Sequence, residues 1–275
     1  MKIVAFATTA TILLHSNICG MVGGWHFAHR HDLAFPITIR HLAHTLIYFG
    51  NATSEPQYQA GIEQQEVCRV MDRLRQQLGL RALFYPKLVH GTKGLTIRRH
   101  LPAPRTKRGD FIMTNEPLIG LAIASADCLP IIYIDPEHRA VALAHAGWRG
   151  TADKIASEVI NSMTHEFGSR PEELRIIFGP STRCFGELSV QQATWHGLQV
   201  DDESTVVRTR AGDLLLDLSV LNRRQLIASG VNADKICTLY NVCTKCDPQF
   251  CSHERDPDSK QRQFSVVAFT HSAPN

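Results

Sequence analysis

The sequence predicts a single mixed α/β (α+β) domain, built of sheet layers flanked by helices, with its functional residues at strand ends. Three observations carry that prediction. Apolar runs of strand length recur along the chain, among them LIGLAIASADC, LPIIYID, AVALAHAGWRG, LRIIFGP and FSVVAF. Between them lie segments whose apolar residues return every three or four positions. No internal repeat and no Gly/Ser-rich or acidic linker divides the 275 residues.

The elements follow in chain order. Lys2 and the run IVAFATTATILL have the charge and apolar stretch of a short signal peptide, but no small-x-small cleavage site follows cleanly. IVAFATT reads equally as a β-branched first strand. The expected location is therefore cytoplasmic, with export as the alternative. Residues 20–57 show no period and contain His26, His29, His31, His41 and His44, which read as a loop with turns rather than a metal site. Residues 1–57 are thus an irregular segment belonging to the same domain, and residues 58–275 form the core. Val67, Val70, Met71, Leu74 and Leu78 predict a helix over 58–78, closed by Gly79. ALFYPKLVHG then reads as a strand stopping at His90 and Gly91. Short strands fill 110–144, with a break at Pro130 and a turn at DPEH. Residues 151–167 read as a second helix, with Ile155, Val159, Ile160 and Met163 on one side. LRIIFGP is a strand, DLSVLNRRQLIASG a helix ending at Gly230, KICTLY a strand, and FSVVAF the last one.

Composition narrows the function. Hydrophobic residues make up 44% and charged residues 20%, which is ordinary globular usage. A net charge of +3 is too weak to make nucleic acid or a membrane the main partner. The basic stretch APRTKRGD reads as a solvated loop. No run of 18 apolar residues suggests a membrane-spanning helix.

Three polar residues stand where apolar runs end: His90 in LVHG, Cys128 in ADCLP and His145 in AHAGWRG. Singly, each reads as a structural side chain. Together, beside small residues, they offer one thiolate and two imidazoles, a donor set that suits zinc and leaves a fourth position open. Zinc so held acidifies bound water. The same three side chains also satisfy a Cys-His nucleophilic arrangement, and spacing does not separate the two.

ADCLPI, AHAGWRGTA, the upstream LVHG and the downstream GPSTRCF resemble the bacterial laccase-domain family. Its members are also described as multicopper polyphenol oxidoreductases, purine nucleoside phosphorylases and peptidoglycan editing factors. The resemblance runs from about Val67 to Phe269 and includes Cys243-Thr244 and SHERD. It implies zinc at His90, Cys128 and His145, and it implies purine nucleosides (adenosine, inosine, methylthioadenosine) and phosphate as substrates, with adenosine deamination possible. Departures from the family pattern fall around the site. Leu88 stands where a Gln is usual, Cys68-Arg69 where Asn-Arg is usual, Glu254 where an Arg is usual, and ATTA at 7–10 lacks the Arg of the family's N-terminal segment. Lys260-Gln261-Arg262 replaces Thr-Gly-Arg. These departures bear on substrate choice or on activity itself.

Deamination needs a proton carrier, for which Asp127 beside Cys128 is the candidate, its other reading being a carboxylate that orients a ligand or caps a turn. Phosphorolysis needs a cationic cradle, for which Arg149, Arg69, Arg255 and Arg262 are candidates, Arg149 first because it follows His145 by four residues. Copper oxidase chemistry is not expected: fourteen dispersed histidines with one His-x-His pair do not make a trinuclear cluster. A Cys128-nucleophile hydrolase and a peptidoglycan-editing specificity factor with little turnover are the alternatives. Finally, Cys243, Cys246, Cys251 and His253 have the spacing of a small zinc knuckle, against which stands a simple scaffold role.

Overall fold

The structure, a computed structural model, describes residues 35–42, 44–98, 107–184, 206–208 and 214–270. The signal-peptide question, the first-strand reading of IVAFATT and the histidines at 26, 29 and 31 lie outside them. The strands are β1 (Ile37–Leu42), β2 (Thr45–Phe49), β3 (Tyr58–Gln59), β4 (Ala82–Phe84), β5 (Gly94–Thr96), β6 (Phe111–Thr114) and β7 (Ile119–Ser125). They continue as β8 (Leu129–Asp135), β9 (Ala140–Ala146), β10 (Arg175–Phe178), β11 (Val206–Arg208), β12 (Leu214–Leu216), β13 (Ile236–Cys237) and β14 (Gln261–Phe269). The α-helices are α1 (Gln64–Leu78), α2 (Trp148–Ala152), α3 (Ile155–Phe167) and α4 (Leu218–Ala228).

Strand alternation sorts these elements into four layers. One sheet has the order β1-β2-β14-β7-β4, with β3 on the start of β14; the other has the order β13-β10-β8-β9-β6-β5. Ile119, Leu121 and Ile123 of β7, with Val267 and Phe269 of β14, face Ile132 and Ile134 of β8 and Val141 and Leu143 of β9. That apolar layer lies between the two sheets. The residues that alternate with them point outward. Ala122, Ala124, Val266 and Ala268 meet Val70, Leu74 and Leu78 of α1. On the far side, Ala140, Ala142 and Ala144 meet Ile155, Val159 and Met163 of α3, with Leu226 of α4. Each central strand is buried on both faces, which is why its sequence reads as an unbroken apolar run. The helix-facing positions are small, so a helix can lie close on the sheet.

The expected mixed α+β fold is present, and several details differ from the sequence reading. The stretch read as irregular contains β1 and β2, which pair with each other and, through β2, with β14. Its alternation is masked because β2 is buried at every position. Helix α1 begins only at Gln64; Gly79 closes it at φ 69° as expected. The second helix is two, α2 and α3, separated where Lys154 takes φ 60°. Pro130 is not a break: it lies inside β8 opposite His145, and its carbonyl accepts from the amide of Gly179. The break falls instead at Ala126–Cys128. KICTLY keeps only two residues as strand, β13. The segment ALFYPKLVHG is strand only to Phe84, so His90 sits in a loop rather than at a strand end.

Candidate active site

Register brings the first two functional side chains together. β8 and β9 are antiparallel with Leu129 opposite Ala146 and Pro130 opposite His145, so Cys128, one residue before β8, comes beside the end of β9. His90 arrives from the loop after β4. Its ring centroid lies 4.8 Å from that of His145, nearly edge-on. One donor atom from each of His90, Cys128 and His145 lies within 4.8 Å of the others.

Asp110, buried in the residue before β6, holds two of these three in place. Its Oδ1 accepts from the amides of Val89 (3.1 Å) and His90 (2.8 Å), and its Oδ2 accepts from that of Gly91 (2.8 Å). This clasp sustains the φ of 60° at His90, a conformation a non-glycine residue adopts only when its surroundings impose it. Oδ1 also lies 3.2 Å from His145 Nδ1. Burial would raise the Asp110 carboxyl, but His145 and the amides of Gly91 and His90 hold it below the usual range. An ionised carboxylate accepts, so Nδ1 carries the proton and His145 presents Nε2 to the cluster.

The electrostatics are those of a thiolate among imidazoles. Burial alone would raise Cys128, yet His145 and His90 beside it draw its pKa down to about 6. Burial would lower His145, yet the charge of Cys128 and the Asp110 contact raise it to about 9. Gly147 gives the group its room: a Cβ there would stand 3.1 Å from Cys128 Sγ and 3.2 Å from His90 Cδ2. Two imidazoles, a thiolate, a carboxylate behind one imidazole and a glycine where a side chain would intrude all fit a bound metal ion.

The cluster forms the floor of a pocket of about 720 Å³, a volume in the range of small-molecule sites. Tyr58 and Tyr85, 3.1 Å apart at their hydroxyls, line it with Leu88, and Arg262, opposite Tyr58 in the β3–β14 register, lines it near them; His253 and Glu254 also line it. Burial keeps Tyr85 a neutral phenol by raising its pKa.

Of the four candidate arginines, the structure brings two to this pocket. Arg149, in the first turn of α2, is exposed at the pocket with its guanidinium 4.4 Å from the Trp148 ring. Arg262 also lines the pocket, its Nη1 donating to the carbonyls of Ser259 and Gln261. The other two are not among the residues that line it. Arg69 lies on the exposed face of α1, 66% accessible and paired with Glu66. Arg255 is a structural brace: it donates to the carbonyls of Thr244 (2.5 Å), Lys245 and Asp247, and to that of Phe250.

Asp127 is also less available than its place beside Cys128 suggests. It is buried at φ 87°, with Oδ1 accepting from Thr244 Oγ1 (2.6 Å) and Oδ2 from the amide of Glu254 (2.7 Å). Both oxygens tie loops together, which favours the orienting role over the proton carrier. The four residues with knuckle spacing do not stay together: Cys251 is buried with its amide bonded to Gln263, His253 faces the pocket, and Cys184 meets Cys243 and Cys246. Sequence reasoning missed Asp110 altogether. The signal available, an Asp after Gly at the start of a strand, is shared with any surface turn.

Against known proteins, the pattern of the family described as multi-copper polyphenol oxidoreductase laccase matches residues 52–270. A protein of Bacillus subtilis named purine nucleoside phosphorylase YlmD is 34% identical over 58% of this chain and 59% of its own length. One of Deinococcus radiodurans named purine nucleoside phosphorylase is 32% identical over 71% of this chain and 74% of its own. An adenosine deaminase, RL5, from an unknown prokaryotic organism is 32% identical over 58% and 61%. The crystal structure of YlmD from Geobacillus stearothermophilus superimposes with a TM-score of 0.72 at 25% identity, over 83% of this chain and 93% of that one. Among the described residues, no helix is long and apolar enough to cross a membrane.

Proposed function

The chain belongs to the multi-copper polyphenol oxidoreductase laccase family, and we propose that it is a purine nucleoside phosphorylase whose zinc is held by His90, Cys128 and His145. One observation carries the reading: three donors converge in a ligand-sized pocket that two arginines, Arg149 and Arg262, also line. The names of the relatives in Bacillus subtilis and Deinococcus radiodurans support it. Two imidazoles and a thiolate also serve electron-transfer copper, but such a site is closed off, whereas this cluster opens on space for a substrate.

In phosphorolysis a phosphate oxygen bonds to ribose C1′, the C–N bond to the base breaks, and the base leaves with the electron pair and takes up a proton. Arg149 and Arg262 are the groups that bind and orient the phosphate. Stacking on Trp148 limits the freedom of Arg149, so less entropy is lost when it engages. The aromatic wall of Tyr58 and Tyr85 offers a flat apolar surface to the purine, and Leu88 keeps water from it. Bound zinc supplies a Lewis acid at the floor. Adenosine deamination is the weaker reading, because it needs a free proton carrier and both oxygens of Asp127 are engaged. A hydrolase using Cys128 as nucleophile has support in its lowered pKa and in the Asp110–His145–Cys128 alignment. That reading leaves His90 without a task and the Gly147 space unexplained.

The deciding experiment incubates zinc-loaded protein with adenosine, inosine or methylthioadenosine, with and without phosphate. Phosphate-dependent release of free base and ribose 1-phosphate (or its methylthio form) supports the proposal. Inosine formed from adenosine without phosphate points to the deaminase. Thiol alkylation abolishing activity in metal-saturated protein points to the nucleophile.

A further inference from the structure

A second group of metal-binding side chains lies away from the pocket floor. Cys184, in the loop after β10, brings its Sγ 3.6 Å from that of Cys243 and 3.5 Å from that of Cys246, both in the loop after β13. All three sulfurs lie within 4.8 Å of one another. The separations discriminate among the fates open to such thiols. A disulfide needs sulfurs about 2.05 Å apart. Three sulfurs on a tetrahedral zinc, each about 2.3 Å from the ion, stand about 3.8 Å from one another. The observed spacing is close to the second figure, and it needs only small movements to reach it.

Burial of apolar thiols does not explain the cluster, because Cys246 is exposed. Two further features prepare it for a cation. Cys243 and Cys246 have the two-residue spacing that lets neighbouring thiolates share an ion, and the amide of Arg183 donates to Cys243 Sγ at 3.4 Å, a contact that favours sulfur in its anionic form. The two loops are already stitched by the Ser181 amide to the Val242 carbonyl, the Thr244 amide to the Ser181 carbonyl, and the Asn241 side chain to Gly179 and Ser181. The thiols thus meet on backbone that is fixed without them.

We propose that Cys184, Cys243 and Cys246 form a second metal site, structural in role, for a thiophilic divalent ion such as zinc. Its position gives it a task. Thr244 lies between two of the ligands and donates to Asp127, whose chain neighbour is Cys128. An ion there adds a further tie to the loop that aims Thr244, and so steadies the backbone beside Cys128.

The test counts metal in the full-length protein, purified with reductant, loaded with zinc and freed of loosely held ions. Two ions per chain are expected in the unaltered protein, one in Cys128→Ser and one in Cys246→Ser. The second substitution is at an exposed position and leaves the fold intact by circular dichroism. With cobalt as the probe, Cys128→Ser retains an intense sulfur-to-cobalt charge-transfer band, and adding Cys184→Ser or Cys246→Ser removes it. A single ion per chain that Cys246→Ser leaves in place overturns the proposal. So does a charge-transfer band that survives loss of Cys246 in the Cys128→Ser background, or a Cys184–Cys243 disulfide as the stable form of the zinc-treated protein. Failure of the pocket-floor site shows itself separately, as an unchanged count in Cys128→Ser.

Discussion

The two sulfur-bearing clusters differ in donors and in what stands before them. The pocket-floor group mixes two imidazoles with one thiolate, is backed by Asp110 and opens onto about 720 Å³ of space. The second group is all sulfur, bound by backbone on both sides, and sits between two loops. An ion among mixed ligands with an open face can meet a substrate, while one wrapped in thiolates holds chain segments together. Chemistry is therefore assigned to the first and architecture to the second.

That contrast can be broken, and the largest effect tests it first. Cys128→Ser removes a ligand at the floor and is expected to lower phosphorolysis at least about a thousandfold, beyond the 10–100-fold usual for outer partners of a ligand; steady-state rates check it, with activity unchanged as the refuting result. Asp110→Asn keeps every donor but releases His145 and weakens the clasp on His90. Its zinc affinity and turnover are expected to fall about 10–100-fold together, as read by chelator competition. Among the arginines, Arg149→Ala and Arg262→Ala are expected to raise KM for phosphate about tenfold or more, a loss on the order of 1.4 kcal/mol. Arg255→Ala instead lowers the melting temperature with KM unchanged, and Arg69→Ala changes neither. Leu74→Ala, at a wholly buried position on the sheet-facing side of α1, serves as a control. It is expected to cost about 2–5 kcal/mol in denaturant unfolding while leaving the metal count alone.

The smallest effect separates ligand from nucleophile. In metal-free protein the thiolate of Cys128 forms as pH rises through about 6, because His145 stays protonated until about 9. Alkylation by iodoacetamide should therefore gain rate around pH 6, not around the ordinary thiol value. Zinc should suppress it across the whole range. A rate that ignores zinc favours the nucleophile.

How much of this was legible in the sequence depends on how local each signal is. The fold class and the strands β7, β8, β9, β10 and β14 follow from apolar runs, which record burial on both faces. β1 and β2 escaped because Thr38, Thr45 and Tyr48 are buried within them and hide the period. His90, Cys128 and His145, singled out by their motifs, come together in the structure, although His90 lies in a loop and not at a strand end. The arginines separate by contacts that sequence does not carry: both Arg255 and Arg262 donate to backbone carbonyls, but only Arg262, seven residues on, also lines the pocket. Asp110 and Cys184 were missed because their partners lie 35 and 59 residues away.

One carboxylate gripping both the 89–91 backbone and the ring of His145 means that the two imidazoles travel as a unit. A change of shape at the pocket must then come from lining groups outside this clasp, of which Arg149 and His253 are exposed.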